Sequence, residues 1–563
     1  MNRTMTFSFS LASFRAAIKR FSKKEQAVFI ALLLGAMISL LFLIRALDAR
    51  YAALAPLKSG TFREGVVGSP RFINPLVAIS DTDRDMVNLI YAGLMRADGS
   101  GGFEPELAAS YEISPDGLAY TFRLRDNLIW HDNHPLTSDD VIFTIEQARN
   151  PALRSPLRAQ WEGVVIEKID DRALRFTLSK PYAPFLAAAT LGILPKHLWQ
   201  NVTSQEFTLS LLNRTPIGAG PYRISSFREE KEKGIRSYTL KAFSGYALGT
   251  PFISRVMVMI YANEEEMRRA FRNGEIDAFG AISPLSLDGA DARVIRVPLP
   301  RLVGIFFNKE KNEILASLSI RQALWHAIDS ERIAAEALGG EEASLIASPL
   351  PHRPASAHPF AYDQNRAKTI IEEERAKNKK LPPLAFRLAT AANPQLVAVA
   401  SLIKEMWENV GFTVELHIFD VSDLERNVIR PRDYDALLFG QVIGYYPDPY
   451  AFWHSSQRLD PGLNIANYSN IKVDKLLEEA RNTVDPAEQE TLYNSFIKII
   501  LNDVPAIFLY RPVYVYVMPS AIKGVTIELI NSPSGRFEQI EQWYLQEERR
   551  WPALPNIFNN FIL

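Results

Sequence analysis

Residues 27–44 (AVFIALLLGAMISLLFLI) run for 18 positions without a charged side chain, and no other feature limits the folding of this 563-residue chain as sharply. At a rise of about 1.5 Å per residue, a helix over that run is about 27 Å long, just enough to cross the hydrocarbon core of a bilayer. Arg45 ends it. Residues 1–26 carry Arg3, Arg15, Lys19, Arg20, Lys23 and Lys24 against Glu25 alone, a local charge of +5 in a chain whose total is −1. The positive-inside rule therefore puts the N-terminus in the cytoplasm and the large remainder outside. A cleaved signal peptide is the rival reading. Its apolar region is usually shorter, and the triplet Ala53-Leu54-Ala55 is followed by Pro56, a poor residue behind a cut. An uncleaved single-pass anchor is the expectation. Upstream, Leu11, Phe14, Ile18 and Phe21 recur at helical spacing opposite Arg15 and Lys19, as in an interfacial helix or a solvated basic arm.

The chain holds no cysteine, which removes disulfides, thiolate metal sites, cysteine nucleophiles and lipidation at a mature N-terminal cysteine. With 63 Lys+Arg against 64 Asp+Glu, the bulk charge gives no reason to expect a nucleic-acid partner. A hydrophobic fraction of 47% suits a packed protein, and the length calls for more than one core.

Past a linker over residues 45–60 the pattern is mixed α and β. Tyr120, Phe122 and Leu124 alternate with Thr121, Arg123 and Arg125 after Ser114-Pro115-Asp116-Gly117, which predicts a hairpin over 111–130. Thr137, three residues before Asp140, predicts a capped amphipathic helix that Pro151 stops. A helical region begins near Ser319 and closes at Gly339-Gly340. A helix from Pro394 to Asn409, then strands over 412–419 and 434–439, read as βαβ-like units with a largely buried sheet. Asp485-Pro486 opens a helix to about Asn502, and one strand over 506–517 follows.

No HExxH, GxSxG, Walker or GxGxxG motif is present, so neither an enzyme nor a cofactor is expected. His131 and His134 form the one close histidine pair. In Trp130-His131-Asp132-Asn133-His134-Pro135 they read as a structural turn, and no metal ligand is assigned. Gly99 to Gly102 read as a hairpin tip rather than a phosphate cradle.

Several of these segments, in order, resemble the family 5 extracellular solute-binding proteins, the binding components of peptide, oligopeptide and nickel ABC importers. The similarity rests on Leu107-Ala108-Ala109-Ser110-Tyr111-Glu112, on Asp116 through Arg125, and on Trp130-His131-Asp132 with Asp139-Asp140-Val141. It continues at Ile217-Gly218-Ala219-Gly220-Pro221-Tyr222, at Asn308, at Ile320-Arg321-Gln322-Ala323-Leu324, at Tyr446-Pro447-Asp448-Pro449, and at Asp503-Val504-Pro505-Ala506-Ile507. The resemblance implies an α/β fold: a two-lobed periplasmic-binding-protein clamp of the class II type with an extra domain. Lobe I would comprise 61–93, 212–297 and 525–545, the extra domain 94–211, and lobe II 298–524, with a tail over 546–563. It also implies an extracytoplasmic protein, periplasmic or at the cell surface, that encloses a peptide or other small molecule and hands it to ABC permease subunits. A membrane-anchored sensor using the same clamp without transport is the alternative.

The segment Tyr445, Tyr446, Pro447, Asp448, Pro449, Tyr450, Phe452, Trp453 places aromatics beside a carboxylate where two prolines interrupt regular structure. Asp448, Tyr445, Tyr446, Trp453 and Asn308 are therefore the candidate ligand-binding residues. The chain departs from dipeptide binders of the family at two points. Tyr445 stands where the resemblance expects an ammonium-binding Asp, and Thr390 where it expects a carboxylate-binding Arg.

Overall fold

The computed structural model describes residues 22–51, 53–182, 184–231, 234–281, 292–340, 344–350, 360–444, 448–483 and 485–550. The chain divides into two units, residues 1–57 with 545–563, and residues 58–544. In the first unit the uncharged run lies within a 29-residue helix, Lys23–Tyr51. Its Leu32, Leu41 and Phe42 side chains stand exposed, as the lipid-facing surface of a span would be. Among the described residues it is the one helix long and apolar enough to cross a membrane. The linker and tail are not wholly irregular. Ala53–Pro56 pairs antiparallel with Glu547–Arg550, and Asp48 accepts an ion pair from Arg549 at 3.0 Å. A Glu-Glu-Arg-Arg edge strand has no apolar alternation by which to announce itself.

The second unit holds three main sheets. A seven-stranded sheet runs in the order Ala292–Pro298, Val513–Pro519, Ala278–Ala281, Ser59–Val67, Ile253–Tyr261, Gly234–Ala242, Tyr222–Glu230. Beneath it, Arg536 donates to both Glu64 (2.8 Å) and Asp85 (2.8 Å), and Tyr516 donates to Glu64 (2.8 Å). This buried network ties the strand Ser59–Val67 and the helix Asp81–Ile90 to the C-terminal segment.

A four-stranded sheet, Ala108–Ile113, Ala119–Leu124, Ala173–Thr177, Val165–Asp170, contains the expected hairpin. Tyr111 faces Phe122, and the turn closes because Gly117 takes φ +69° while Asp116 accepts the Leu118 N–H at 3.0 Å. The following helix, Ser138–Arg149, starts where Asp140 accepts the Thr137 N–H at 2.9 Å.

A six-stranded sheet runs Ser344–Leu345, Ala506–Arg511, Arg301–Phe307, Ala436–Val442, Ala385–Ala391, Thr413–Phe419. The βαβ reading holds here. Helix Pro394–Glu408, capped by Asn393, links two parallel strands, and Ala436–Val442 is parallel to the first of them. The helical region after Ser319 is two helices, Leu318–His326 and Ser330–Ala337, because Asp329 caps the second by accepting the Arg332 N–H.

The single strand expected over 506–517 is two strands in two different sheets. Pro512, with no N–H to give a ladder, separates Ala506–Arg511 in the six-stranded sheet from Val513–Pro519 in the seven-stranded one. A second crossing lies at Pro298-Leu299-Pro300, and the buried Leu299 donates its N–H to the Pro512 carbonyl at 2.8 Å. Val513–Pro519 thus belongs with the sheet of Ser59–Val67, although it falls within the span expected for lobe II.

Candidate cleft at the carboxyl edge of the six-stranded sheet

Parallel pairing delivers the carboxyl ends of Ala385–Ala391, Thr413–Phe419 and Ala436–Val442 to one edge of the sheet, where ligands of open α/β sheets bind. Arg301 begins the neighbouring antiparallel strand opposite Val442, so it reaches the same edge immediately after the crossing. Its Nε is buried without a hydrogen-bond partner among the described residues. Burial lowers the guanidinium from its ordinary value, with Asp81 and Arg84 of the opposing helix as the charged groups in reach. A half-buried guanidinium with an unpaired Nε favours an incoming anion.

Val442 also lines a cavity of about 510 Å³, together with Val421, Phe439, Gln441, Phe452 and Leu463. Val421, Val442 and Leu463 are exposed, while Gln441 is buried. The Gln441 amide donates Nε2–H to the Leu463 carbonyl at 3.1 Å and leaves Oε1 without a partner among the described residues. Glu425, Arg430, Arg432 and Asp460 also line the cavity, with Arg430 paired to Glu425 at 2.7 Å and Arg432 donating to backbone carbonyls. A largely apolar wall with the unpaired Gln441 oxygen suits a ligand with apolar side chains and an N–H to offer.

Asp448 does not face this edge alone. Arg481, from the helix Ile471–Asn482, meets it at 2.7 Å. The Arg481 guanidinium lies 4.4 Å from the ring centre of Tyr450 and 5.3 Å from that of Tyr182, and Tyr450 stacks in turn on His454 at 4.0 Å. Tyr182 follows the four-stranded sheet, so this cluster links that sheet to the six-stranded one. Burial raises the Asp448 carboxyl, and Arg481, the Tyr450 N–H and the Tyr182 hydroxyl pull it back without cancelling the rise. The Tyr182 hydroxyl is pushed up to about 12 by burial and by the Asp448 charge. A cavity of about 390 Å³ opens beside Tyr182 and Arg481.

The other sequence candidates separate. Tyr445 and Tyr446 lie outside the described residues. Trp453 is 1% exposed and belongs to the core, ringed by Phe306, Tyr468, Phe496 and Phe508. Asn308 is likewise interior. Its Nδ2 donates to the Arg432 carbonyl at 2.8 Å, supporting a residue held at φ +57°. Thr390 is buried, with its hydroxyl donated to the Leu438 carbonyl. Sequence reasoning missed Arg301, Gln441 and Arg481. Arg301, directly after Pro298-Leu299-Pro300, carried the one available signal, a cation at the end of a strand crossing.

His131 is structural, as the turn reading expects. It is buried, its Nδ1 accepts the Gly218 N–H at 3.2 Å, and its Nε2 meets the Gly220 carbonyl at 3.1 Å. Burial lowers it to about 4.

Residues 102–460 match the family model for bacterial extracellular solute-binding proteins, family 5. The oligopeptide-binding protein AppA of Bacillus subtilis is 27% identical over 519 residues, covering 88% of this chain and 94% of its own. The substrate-binding protein CtaP of Listeria monocytogenes superposes with a TM-score of 0.74 at 28% identity, over 87% of this chain and 99% of its own. The structure of B. subtilis AppA in complex with a nonapeptide superposes with a TM-score of 0.69 at 26% identity, over 87% of this chain and 100% of its own.

Proposed function

This chain belongs to the bacterial extracellular solute-binding proteins of family 5, and from that premise we propose that residues 58–544 enclose a peptide or peptide-like ligand and deliver it to the permease of an ABC importer. The lobes are those centred on the seven- and six-stranded sheets, with the four-stranded sheet in the extra domain and residues 513–524 reassigned to lobe I. They close about the two strand crossings at Leu299 and Pro512. The protein binds its ligand without transforming it. Residues 27–44 remain as a single-pass anchor, with residues 1–26 in the cytoplasm.

The observation that carries the reading is the occurrence, at one sheet edge, of a half-buried Arg301 whose Nε has no hydrogen-bond partner among the described residues and a largely apolar-walled cavity that holds the unpaired Gln441 Oε1. Arg301 takes a ligand carboxylate, Gln441 accepts a ligand N–H, and the cavity takes apolar side chains. Asp448 is already matched by Arg481, so a free ligand ammonium is not the anchor. That the B. subtilis relative was captured with a nonapeptide supports a peptide occupant.

Titration of the full chain in detergent with a defined peptide library tests this. Arg301→Met should weaken binding of the best peptide by about 2–5 kcal/mol by leaving its carboxylate unpaired, and Gln441→Leu by about 0.5–1.5 kcal/mol. Failure of every peptide to bind, or Arg301→Met binding as the parent does, overturns the assignment.

A further inference from the structure

Outside the cleft, the turn at Trp130 to Pro135 does something its sequence did not disclose. Asn133 sits at φ +69°, Asn133 donates its N–H to the Trp130 carbonyl at 2.9 Å, and Trp130 donates its N–H to the His134 carbonyl at 2.8 Å. This tight reversal turns Asp132 and His134 to the same side, so that both reach His197 on the short helix Lys196–Trp199. That helix is pinned in its turn, because Asp140 accepts the Lys196 N–H at 2.9 Å. His197 Nε2 lies 2.8 Å from Asp132 Oδ2, His134 Nδ1 lies 3.3 Å from Asp132 Oδ1, and one ligating atom from each of the three falls within 4.8 Å of the others.

The geometry points to a divalent transition-metal site formed by Asp132, His134 and His197. Ligand atoms about 2.0–2.2 Å from one such ion stand roughly 3.0–3.5 Å apart. The His134–Asp132 contact of 3.3 Å already has that spacing, and the 2.8 Å His197–Asp132 contact needs to open only slightly. His134 is 60% exposed at its side chain and stacks on His197 with ring centres 4.3 Å apart, so rotation of this one exposed imidazole completes the set. Asp132 and His197 are about three-quarters covered and hold the other two ligands in place. Two imidazoles and a carboxylate select zinc, nickel, cobalt or copper over calcium and magnesium, which take oxygen ligands. Three protein ligands leave positions open, and they open on the solvent side of His134. His131 takes no part, because both of its ring nitrogens are engaged with Gly218 and Gly220. The site shares no residue with the proposed peptide cleft.

The test uses the full chain in detergent, made without a polyhistidine tag and stripped with chelator. Zinc titration by calorimetry should give one ion per chain, and cobalt should give the visible absorption of an imidazole-bound ion. His134→Ala, which leaves the Asp132–His197 contact and the fold intact, should weaken zinc at least about ten-fold. His197→Ala, with an unchanged thermal melt, should do the same. A parent chain that binds no zinc at one-to-one stoichiometry overturns the assignment and leaves a plain His-Asp-His hydrogen-bond cluster. So does unchanged zinc affinity in both variants.

Discussion

Removing the two charges of the Asp448–Arg481 pair one at a time should have unequal effects. The pair is 2.7 Å apart, with Asp448 17% and Arg481 37% exposed at the side chain. At an effective dielectric of about 20 the attraction between charge centres some 4 Å apart is about 4 kcal/mol, before desolvation and solvent screening are charged against it. Burial nevertheless raises the Asp448 carboxyl, so for this group desolvation exceeds what Arg481 returns. Asp448→Asn removes cost and attraction together, and Arg481 can turn to water. Its expected effect on stability at neutral pH is within about 1 kcal/mol. Arg481→Ala leaves a largely buried carboxylate with only the Tyr182 hydroxyl and Tyr450 N–H, and should cost about 2–3 kcal/mol. The double variant should return a coupling of about 1–2 kcal/mol. A raised folded-state value means the folded chain holds the proton more tightly than the unfolded one. The Asp448 contribution is therefore full below the ordinary carboxyl range and is lost as pH rises through the raised value. Urea denaturation followed by tryptophan fluorescence, at neutral and mildly acidic pH, reads both effects. If Asp448→Asn costs more than Arg481→Ala, or leaves the pH dependence unaltered, burial does not dominate at this carboxylate and the reasoning fails.

Three further outcomes are expected. Arg536→Met strands Glu64 and Asp85, both nearly inaccessible, and should destabilise residues 58–544 by about 3–5 kcal/mol in a denaturant melt, with Glu64→Gln and Asp85→Asn in the same chain recovering most of the loss. His131, held near 4 in the fold against an ordinary value of 6.5, should supply stability that is complete above 6.5 and lost as pH falls towards 4, on the order of 3 kcal/mol, and His131→Gln should abolish that slope in melts across the window. The protein recovered from its own membranes should retain residues 27–44 by peptide mass mapping, and a mature chain beginning near Ala49 or Pro56 would remove the anchor.

What the sequence determined by itself was local. An uncharged run of 18 residues, a Ser-Pro-Asp-Gly turn, an Asn-Pro helix start and alternating apolar positions each act through neighbours a few residues away, and the corresponding helix, hairpin and βαβ unit stand where that chemistry puts them. The family was legible too, because its motifs are ordered strings of such local features. Which polar groups end up alone or paired was decided in three dimensions. Asp448 is matched by Arg481 on another helix, Asp132 by a histidine 65 residues away, and Pro512 divides a continuous apolar run between two sheets. Trp453 and Asn308 had the composition of site residues, and the tertiary structure made one a core ring and the other a loop brace. An aromatic or an amide offers the same surface to a ligand and to a protein interior. Only the packing of distant segments determines which of the two covers it.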